Sequence, residues 1–399
     1  MKILILTNKL PYPPRDGGSI ATLNMITGLQ KAGNEITCLS LNTSKHTFPV
    51  DEIPSELSSK IHFQGVYCDS SIKPLQMVLN LVFSKRPYIA ERFNIRDFRE
   101  KLEELLKNEP FDLIQLEGPY PGLYLDEIRR WSNAPVSLRA HNVEHLIWKR
   151  KAANERSLLK SWYLRNMAVR LKRFEMQVAR ESDYLIPISP QDEAFFRNSG
   201  YSNPILSIPA GLALDDYPLS PLPPNPTIFF IGALDWLPNQ EGLNWFLKNV
   251  FEALVEEIPQ LLFHVAGRNA PDHFEKKLNN PKIVFHGEVD DARKFMQSYR
   301  IMVVPLLTGS GIRIKILEAM AMGRPVVTSS IGIEGIPATD NKEVMLADDP
   351  DLFKKQLLNL LTDNEEASRL VTDARLLIKH NFDTFGLSTR LSQFFKAQV

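Results

Sequence analysis

The segment GSGIRIKILEAMAMGRP, residues 309–325, brings two cations and one carboxylate into an otherwise apolar sequence directly after a pair of glycines. Glu318 stands among Ile, Leu, Met and Ala residues, where a carboxylate is rarely buried without a partner. Lys315 lies three residues earlier and would share a helix face with Glu318, so an ion pair is one explanation. The other is that Glu318 accepts hydrogen bonds from the vicinal hydroxyl groups of a ribose.

The beginning of the same segment indicates an anion site. Gly309, Ser310 and Gly311 would supply backbone N–H groups where a helix starts after the strand-like run IMVVPLL. Arg313 and Lys315 then fall in the first turns, where the positive end of the helix dipole disfavours cations. A ligand with several negative charges would reverse that cost, so we predict that a diphosphate binds here.

A second glycine pair, Gly17 and Gly18, follows the first strand-like run in PYPPRDGGSIATL and precedes a helix capped by serine. Glycines there allow a ligand to approach the backbone and the helix N-terminus favours an anion, so Gly17 and Gly18 are candidate donor-binding residues. The chain contains neither G-x-G-x-x-G nor G-x-x-x-x-G-K-[ST], which argues against a dinucleotide-dependent oxidoreductase and a P-loop NTPase. The eight histidines and two cysteines show no metal-ligand spacing, so we expect no metal and no cofactor.

Short apolar runs alternate with helical segments along both halves of the chain, which predicts an α/β fold with parallel sheets. The strand candidates are KILILT, EITCLSL, KIHFQGVY, FDLIQLEG, PVSLRAHN, DYLIPIS and PILSIPAG, then TIFFIGALD, LLFHVAGR, KIVFHGE, IMVVPLL, PVVTSS and EVMLAD. The proline-rich run YPLSPLPPNPT, residues 217–227, suits neither a helix interior nor a central strand, so we expect it to join two domains. We predict domains at 1–215 and 216–380, with a helix at 381–399 that packs back on the first.

Basic residues are concentrated in the first half. Residues 145–180 contain ten basic and two acidic residues with helical spacing, and residues 73–88 hold an apolar run between basic residues. One explanation is that the apolar residues of each segment pack inside the first domain while the basic residues face solvent. The other is that both segments contact an anionic membrane surface. The apolar run at the beginning of the chain is too short for a signal peptide, so we expect a cytoplasmic protein, peripheral to the inner membrane face under the second explanation.

The run GSGIRIKILEAMAMGRPVVTSSIGIEGI resembles the donor-site signature of retaining glycosyltransferases with the GT-B fold, in family four. The runs FIGALDWLPNQEGLNWF, LLFHVAGR, KIVFHGEVDD, SLRAHNVEH, ISPQDEAFF and IPAGLALDDY fall in the order that this family shows. The resemblance covers essentially the whole chain. It implies two Rossmann-like domains that face each other across a cleft, with a nucleotide-sugar donor bound mainly by the second and an acceptor by the first.

The resemblance also assigns roles. Glu318 matches the second glutamate of the family motif, which holds the ribose hydroxyl groups, whereas Ser310 stands where the family has its first glutamate. Ala233, after Gly232, occupies a position where family members often have an arginine. Arg313, and with it Lys315 or Arg268, would then balance the diphosphate charge. The histidine that faces the reacting sugar corresponds to His141.

The function implied is transfer of a sugar, with retention, from a nucleotide-diphosphate sugar to a hydroxyl group of a glycan or lipid-linked acceptor in surface or exported glycan synthesis. Arg313 and the backbone at Gly309 to Gly311 would stabilise the leaving group. Two alternatives remain: a catalytically inactive sugar-nucleotide-binding or scaffold protein, favoured by Ser310 and Ala233, and a nucleotide-sugar epimerase of the same fold. No nucleic-acid partner is expected.

Overall fold

The computed structural model describes residues 1–14, 16–155, 157–309 and 311–398. The chain forms two compact units: Met1–Gly211 with Thr384–Val399 (unit 1), and Leu212–Asp383 (unit 2). The chain therefore passes between units at Gly211 and again at Thr384, a few residues from the boundaries predicted at 215 and 380.

Unit 1 is built on a parallel sheet of six strands in its described residues, in the order β3-β2-β1-β4-β5-β6. Its strands are β1 (Lys2–Thr7), β2 (Glu35–Thr43), β3 (Ile61–Cys68), β4 (Leu113–Glu117), β5 (Val136–Ala140) and β6 (Tyr184–Pro187). The central strands are buried along almost their whole length. Continuous apolar runs of this kind are typical of parallel strands covered on both faces by helices.

The helices of unit 1 connect these strands and cover both faces of the sheet. They are α1 (Gly17–Lys31), α2 (Ser55–Ser58), α3 (Pro74–Phe83), α4 (Tyr88–Glu91), α5 (Arg96–Asn108), α6 (Leu125–Trp131), α7 (Glu144–Asn154), α8 (Leu158–Glu181) and α9 (Pro190–Asn198). The C-terminal helix, Thr384–Lys396, also belongs to this unit.

The C-terminal helix packs closely against α1. A Cβ atom added to Gly28 would lie 2.1 Å from the Ser388 hydroxyl oxygen, so the absence of a side chain at position 28 permits this approach. The Asn34 amide donates a hydrogen bond of 3.0 Å to the Ser392 hydroxyl. These contacts join the end of the chain to its beginning.

The predicted seventh strand, PILSIPAG, is wrong as a strand. Residues 204–211 form one isolated bridge, between Ile205 and Leu185 of β6. The segment nevertheless runs beside β6, since the Leu206 and Ile208 N–H groups donate to carbonyl oxygens of that strand. Pro204 and Pro209 have no N–H to donate, which limits the ladder.

Unit 2 contains a second parallel sheet of six strands within its described residues, in the order β12-β11-β10-β7-β8-β9. Its strands are β7 (Thr227–Ile231), β8 (Leu262–Ala266), β9 (Ile283–Gly287), β10 (Ile301–Val304), β11 (Val326–Thr328) and β12 (Met345–Leu346). Its helices are α10 (Leu237–Phe246), α11 (Glu252–Glu257), α12 (Asp272–Glu275), α13 (Ala292–Gln297), α14 (Ile314–Ala321), α15 (Pro350–Thr362) and α16 (Asn364–Phe382). A π-helical segment, Leu247–Phe251, links α10 to α11.

The proline-rich segment 217–227 is part of unit 2, which corrects the prediction that it joins the two domains. Two buried guanidinium groups bind its backbone. Arg324 donates to the Pro221 carbonyl oxygen at 2.9 Å, and Arg300 donates to the Pro223 carbonyl oxygen at 3.2 Å. Prolines cannot donate backbone hydrogen bonds, so their carbonyl groups are left for side-chain donors such as these.

Candidate active site

A pocket of about 370 Å³ opens at the carboxyl ends of the strands of unit 1. Glu117 is the last residue of β4, and His141 directly follows β5. Both line this pocket. Ligands of open parallel sheets bind at this edge, so His141 lies where the resemblance predicts a functional residue.

The Glu117 carboxylate is the centre of a buried hydrogen-bond network. Its Oε2 atom accepts from the His141 Nε2 at 2.7 Å, from the Arg139 guanidinium at 3.1 Å and from the Thr22 hydroxyl at 3.1 Å. Its Oε1 atom accepts from the Gln115 amide at 2.6 Å. The Arg139 side chain is fully buried, and that of Glu117 is 2% exposed.

This network keeps Glu117 ionised. Burial by itself raises the pKa of Glu117, but the Arg139 charge and the hydrogen bond from His141 outweigh burial and hold the pKa at about 2. An ionised carboxylate can only accept hydrogen bonds, so the His141 Nε2 carries a hydrogen atom and donates a hydrogen bond to Glu117. The imidazole is thereby fixed in orientation at the pocket wall.

The predicted glycine pair begins helix α1, because Gly17 and Gly18 are its first two residues. The prediction of a serine cap is wrong: Asp16 is the N-cap, and it accepts from the Ser19 N–H at 2.9 Å. Lys9 forms an ion pair of 2.6 Å with the same Asp16 carboxylate. Gly18 lines the pocket of unit 1.

In unit 2, Glu318 is 3% exposed and its two oxygen atoms contact different groups. Oε1 accepts a hydrogen bond of 2.9 Å from the Tyr217 hydroxyl, and Oε2 lies 2.8 Å from the Lys315 ammonium. The ion pair considered at the sequence level is therefore present. Burial, followed by the Glu318 charge, raises the pKa of Tyr217, so the phenol stays protonated and donates.

The loop between β10 and α14 contains the predicted anion site. Gly309 and Gly311 have φ values of 135° and 87°, which residues other than glycine rarely adopt. The Arg313 guanidinium lies over the Trp236 ring, 5.3 Å from its centroid, and donates to the Gly311 carbonyl oxygen at 2.6 Å. Burial lowers the pKa of Arg313.

Helix α14 begins at Ile314, with Arg313 as its N-cap residue. The glycines therefore precede the helix, which corrects the prediction that Gly309 to Gly311 form its beginning. Lys315 is the second residue of the helix, and its side chain points to Glu318. Ser310 lies outside the described residues.

Gly232 and Arg268 follow β7 and β8 at the carboxyl edge of the unit 2 sheet. A Cβ atom added to Gly267 would lie 2.1 Å from the Gly232 carbonyl oxygen, so these two loops are in close contact. The Arg268 side chain is exposed, and its carbonyl oxygen accepts from the Leu234 N–H at 2.9 Å. Both residues lie on the same sheet edge as the Gly309 loop.

Sequence reasoning missed Glu117, Arg139, Tyr217 and Trp236. Glu117 and Arg139 had a detectable signal, since each is a charged residue in an apolar strand. Tyr217 and Trp236 had none, because their roles depend on contacts with Glu318 and Arg313 far along the chain. Among the residues that the structure describes, no group of three or more His, Cys, Asp or Glu residues could hold a metal ion.

Two family models match the chain. The model of Glycosyltransferase Family 4 matches residues 15–216, and that of Glycosyl transferases group 1 matches residues 225–363. The chain belongs to glycosyltransferase family 4. Its two Rossmann-like α/β units are those of the GT-B fold, which the structurally similar proteins share.

Three proteins similar to this family 4 chain are distant in sequence but align over almost its whole length. An uncharacterised 44.6 kDa protein of the cps region of Klebsiella pneumoniae is 23% identical, over 96% of this chain and 97% of the relative. Sucrose-phosphate synthase from Thermosynechococcus elongatus is 18% identical with a TM-score of 0.72, covering 100% and 99% of the two chains. HepE from Anabaena, solved with UDP, is 13% identical with a TM-score of 0.68, covering 100% of both.

The Glu117 network predicts a pH-dependent contribution to stability. We expect Glu117→Gln to lower the free energy of unfolding at neutral pH by about 3–5 kcal/mol, because Arg139 would stay buried without its counter-charge. The pKa of Glu117 is lowered from 4.5 to about 2, so this stabilisation is complete above pH 4.5 and is lost as the pH falls toward 2. The difference in the free energy of unfolding between wild type and Glu117→Gln should therefore narrow as the pH falls from 4.5 toward 2. Urea titrations at a series of pH values measure this difference.

The matched control is Glu100→Gln, which removes an exposed carboxylate paired with Arg96. Its effect on unfolding should be close to zero, since exposed ion pairs contribute little. Equal stability of Glu117→Gln and wild type at neutral pH would contradict the role assigned to this network.

Proposed function

We propose that this chain transfers a sugar with retention from a nucleoside-diphosphate sugar to a hydroxyl group of a glycan or lipid-linked acceptor in surface polysaccharide synthesis. The observation that carries the proposal is the Gly309 to Glu318 segment, where a half-buried guanidinium, an exposed glycine backbone and a buried carboxylate follow one strand end in a family 4 chain. The UDP bound to HepE supports a nucleotide donor. The cps-region relative supports a role in polysaccharide synthesis.

Glu318 retains the capacity to bind a ribose. Each carboxylate oxygen has two lone pairs, and Tyr217 and Lys315 each engage one oxygen from within unit 2. Two ribose hydroxyl groups can donate to the remaining lone pairs. In this proposal the two protein partners orient the carboxylate.

The cations of this segment suit the diphosphate. A guanidinium can bind two phosphate oxygens at once, and Arg313 is already oriented by Trp236 and the Gly311 carbonyl oxygen. Arg313 and Lys315, with the backbone at Gly309 and Gly311, would offset the charge that develops on the leaving diphosphate. Gly232 and the exposed Arg268 lie on the same sheet edge as this loop and are assigned to the proposed donor site with it, and Ser310 is assigned to the site by the family motif alone.

Retention requires the acceptor hydroxyl to attack C1 of the sugar on the face from which the diphosphate leaves. In the proposed mechanism the C1–oxygen bond to phosphate breaks as the bond to the acceptor oxygen forms. The leaving phosphate takes the acceptor proton, so charge and protons balance. His141, oriented by Glu117, binds the sugar during this step.

Donor binding provides the first test. We expect Arg313→Ala to bind a nucleoside diphosphate about ten- to a hundredfold more weakly in calorimetry, because a charge-assisted contact contributes about 1.5–3 kcal/mol. The free nucleoside should be little affected. Glu318→Gln should weaken binding of the diphosphate and of the nucleoside alike, since a ribose contact is common to both.

The panel for this test is UDP, GDP and ADP with the matching nucleosides. Arg369→Ala, which removes a guanidinium paired with Glu366 on the surface of α16, is the matched control and should bind as wild type does. Equal losses of diphosphate and nucleoside in Arg313→Ala would remove Arg313 from the phosphate site. Unchanged affinities in Glu318→Gln would remove Glu318 from the ribose site.

Turnover provides the second test. We expect His141→Ala to abolish release of nucleoside diphosphate from a panel of nucleotide sugars while donor affinity stays within about twofold, because the proposal assigns His141 to the sugar and unit 2 to the nucleotide. Transfer at the wild-type rate would exclude this role. A wild-type protein that binds donor and releases no diphosphate, with any acceptor tried, would instead be the inactive nucleotide-binding protein that Ser310 and Ala233 suggest.

We further propose that the enzyme works at the cytoplasmic face of a membrane. In the described residues no helix has the length and apolar character needed to cross a bilayer. Helix α3 nonetheless has no buried residue, and Leu75 and Phe83 are 73% and 82% exposed. At the beginning of α8, Leu158 and Leu159 are 87% and 82% exposed.

The two helices are connected, and basic side chains flank them. The Arg170 guanidinium of α8 donates to the Asn80, Leu81 and Ser84 carbonyl oxygens at the end of α3. Exposed basic residues lie beside the apolar ones, namely Lys73, Lys85, Arg86, Lys149, Arg150, Lys151 and Lys160. Each basic residue near an anionic surface contributes about 1 kcal/mol to binding, and the apolar side chains can enter the head-group region.

Vesicle sedimentation tests this surface. We expect the protein to pellet with phosphatidylglycerol vesicles at low salt, to be released by high salt, and not to pellet with phosphatidylcholine. Leu158→Ser combined with Leu159→Ser should weaken pelleting without changing the unfolding midpoint, because both side chains are exposed. Leu376→Ser, at an exposed leucine of unit 2, is the control. Failure to pellet with phosphatidylglycerol at low salt would refute the membrane proposal.

A further inference from the structure

A second carboxylate, Glu144, lines the pocket of unit 1 together with His141. It is the first residue of helix α7, and it contacts a different set of groups from those around Glu117. The Tyr120 hydroxyl donates to the Glu144 Oε2 at 3.2 Å. Tyr120 belongs to the short 3-10 turn that follows β4, and it lines the same pocket.

A third carboxylate, Glu175 of α8, lies beneath Glu144 and has a structural role. Its oxygens accept from the Glu144 N–H at 2.7 Å, from the His145 N–H at 3.3 Å and from the His145 Nδ1 at 2.5 Å. These donors bind the beginning of α7 to α8. Glu175 is 1% exposed, so its negative charge acts on Glu144 with little solvent screening.

The surroundings of Glu144 therefore disfavour its ionised form. Burial and then the Glu175 charge raise the pKa of Glu144 to about 7, although the hydrogen bond from Tyr120 lowers it. His145 faces Glu175 on the other side, and His141 and Arg92 line the same pocket. A neutral glutamine at position 144 would avoid both costs, so burial and Glu175 disfavour a carboxylate there, and its place in the first turn of α7 is a structural feature that favours it.

We propose that Glu144 binds the attacking hydroxyl group of the acceptor in the pocket of unit 1 and selects acceptors that present that hydroxyl beside His141. This inference rests on the proposed glycosyltransferase function and names a residue for its acceptor side. The ionised carboxylate accepts the hydroxyl hydrogen through one oxygen while Tyr120 occupies the other. The hydroxyl proton still leaves with the phosphate, so Glu144 orients the acceptor and undergoes no net change.

A binding experiment on the full chain tests this assignment. The probes are the methyl α-glycosides of glucose, galactose, mannose and N-acetylglucosamine, titrated in the presence of UDP and followed by saturation-transfer NMR. We expect at least one glycoside to bind wild type more tightly as the pH rises through the Glu144 pKa of about 7. Glu144→Gln should bind it about tenfold more weakly, with no pH dependence over that range.

Two further variants make the assignment specific. Tyr120→Phe removes the hydrogen bond that lowers the pKa of Glu144, so the midpoint of the binding profile should move to higher pH. Glu103→Gln, at a carboxylate paired with Lys107 on α5, is the matched control and should leave the profile unchanged. A midpoint that stays in place in Tyr120→Phe would show that another group titrates, and would overturn the proposal.

Thermal unfolding distinguishes ligand binding from a structural role. A carboxyl group whose pKa is raised from 4.5 to about 7 binds more protons in the folded state, so its contribution to stability falls as the pH rises between these values. Glu144→Gln should therefore be more stable than wild type above pH 7. A loss of stability there would mean that the carboxylate supports the fold, and would overturn the proposal.

The remaining outcomes are equally decisive. Glycosides that bind Glu144→Gln as tightly as wild type, or that do not bind wild type at all, would overturn the role of Glu144. UDP affinity is measured separately by calorimetry. If wild type binds none of UDP, GDP and ADP, the proposed donor site is contradicted, whereas nucleoside diphosphate binding without glycoside binding contradicts this inference alone.

Discussion

The buried Glu117 carboxylate is the constraint on which the pocket of unit 1 depends. It joins β4 to β5 through Arg139, to α1 through Thr22 and to the loop after β5 through His141. A carboxylate removed from water is tolerated only when hydrogen bonds and a counter-charge compensate for the lost solvation, and Glu117 has both. Satisfying Glu117 therefore determines where the His141 ring lies and which of its nitrogens carries the proton.

In unit 2, buried guanidinium groups likewise position residues of the candidate site. The fully buried Arg324 and the nearly buried Arg300 bind carbonyl oxygens of the proline-rich segment, which places Tyr217 against Glu318. Burial lowers the pKa of Arg324 to about 10, yet the group stays charged at neutral pH. In both units a segment without regular structure is held by side-chain donors, and a candidate ligand-binding group is oriented as a result.

The surroundings of the two carboxylates at the pocket of unit 1 shift their pKa values in opposite directions. Glu117 has a cation and a histidine as partners and a pKa of about 2, whereas Glu144 has an acidic neighbour and a pKa of about 7. Environments that separate the pKa values of neighbouring acids are a feature of sites where such groups do different work. The surroundings of Glu117 favour its charge, whereas burial and Glu175 disfavour the charge of Glu144.

The sequence by itself determined the α/β class, twelve of the thirteen predicted strands and the family, because apolar runs and turn residues depend on local order along the chain. The glycines at 309 and 311 and the histidine at 141 could also be named from the sequence as candidates, since His141 directly follows a strand and the glycines lie in the loop after another. Only the tertiary structure decided which groups meet these residues. Tyr217 and Glu318 are 101 residues apart and Thr22 and Glu117 are 95 apart, and no local pattern along the chain encodes contacts between residues that only the packing of helices and loops against the sheets brings together.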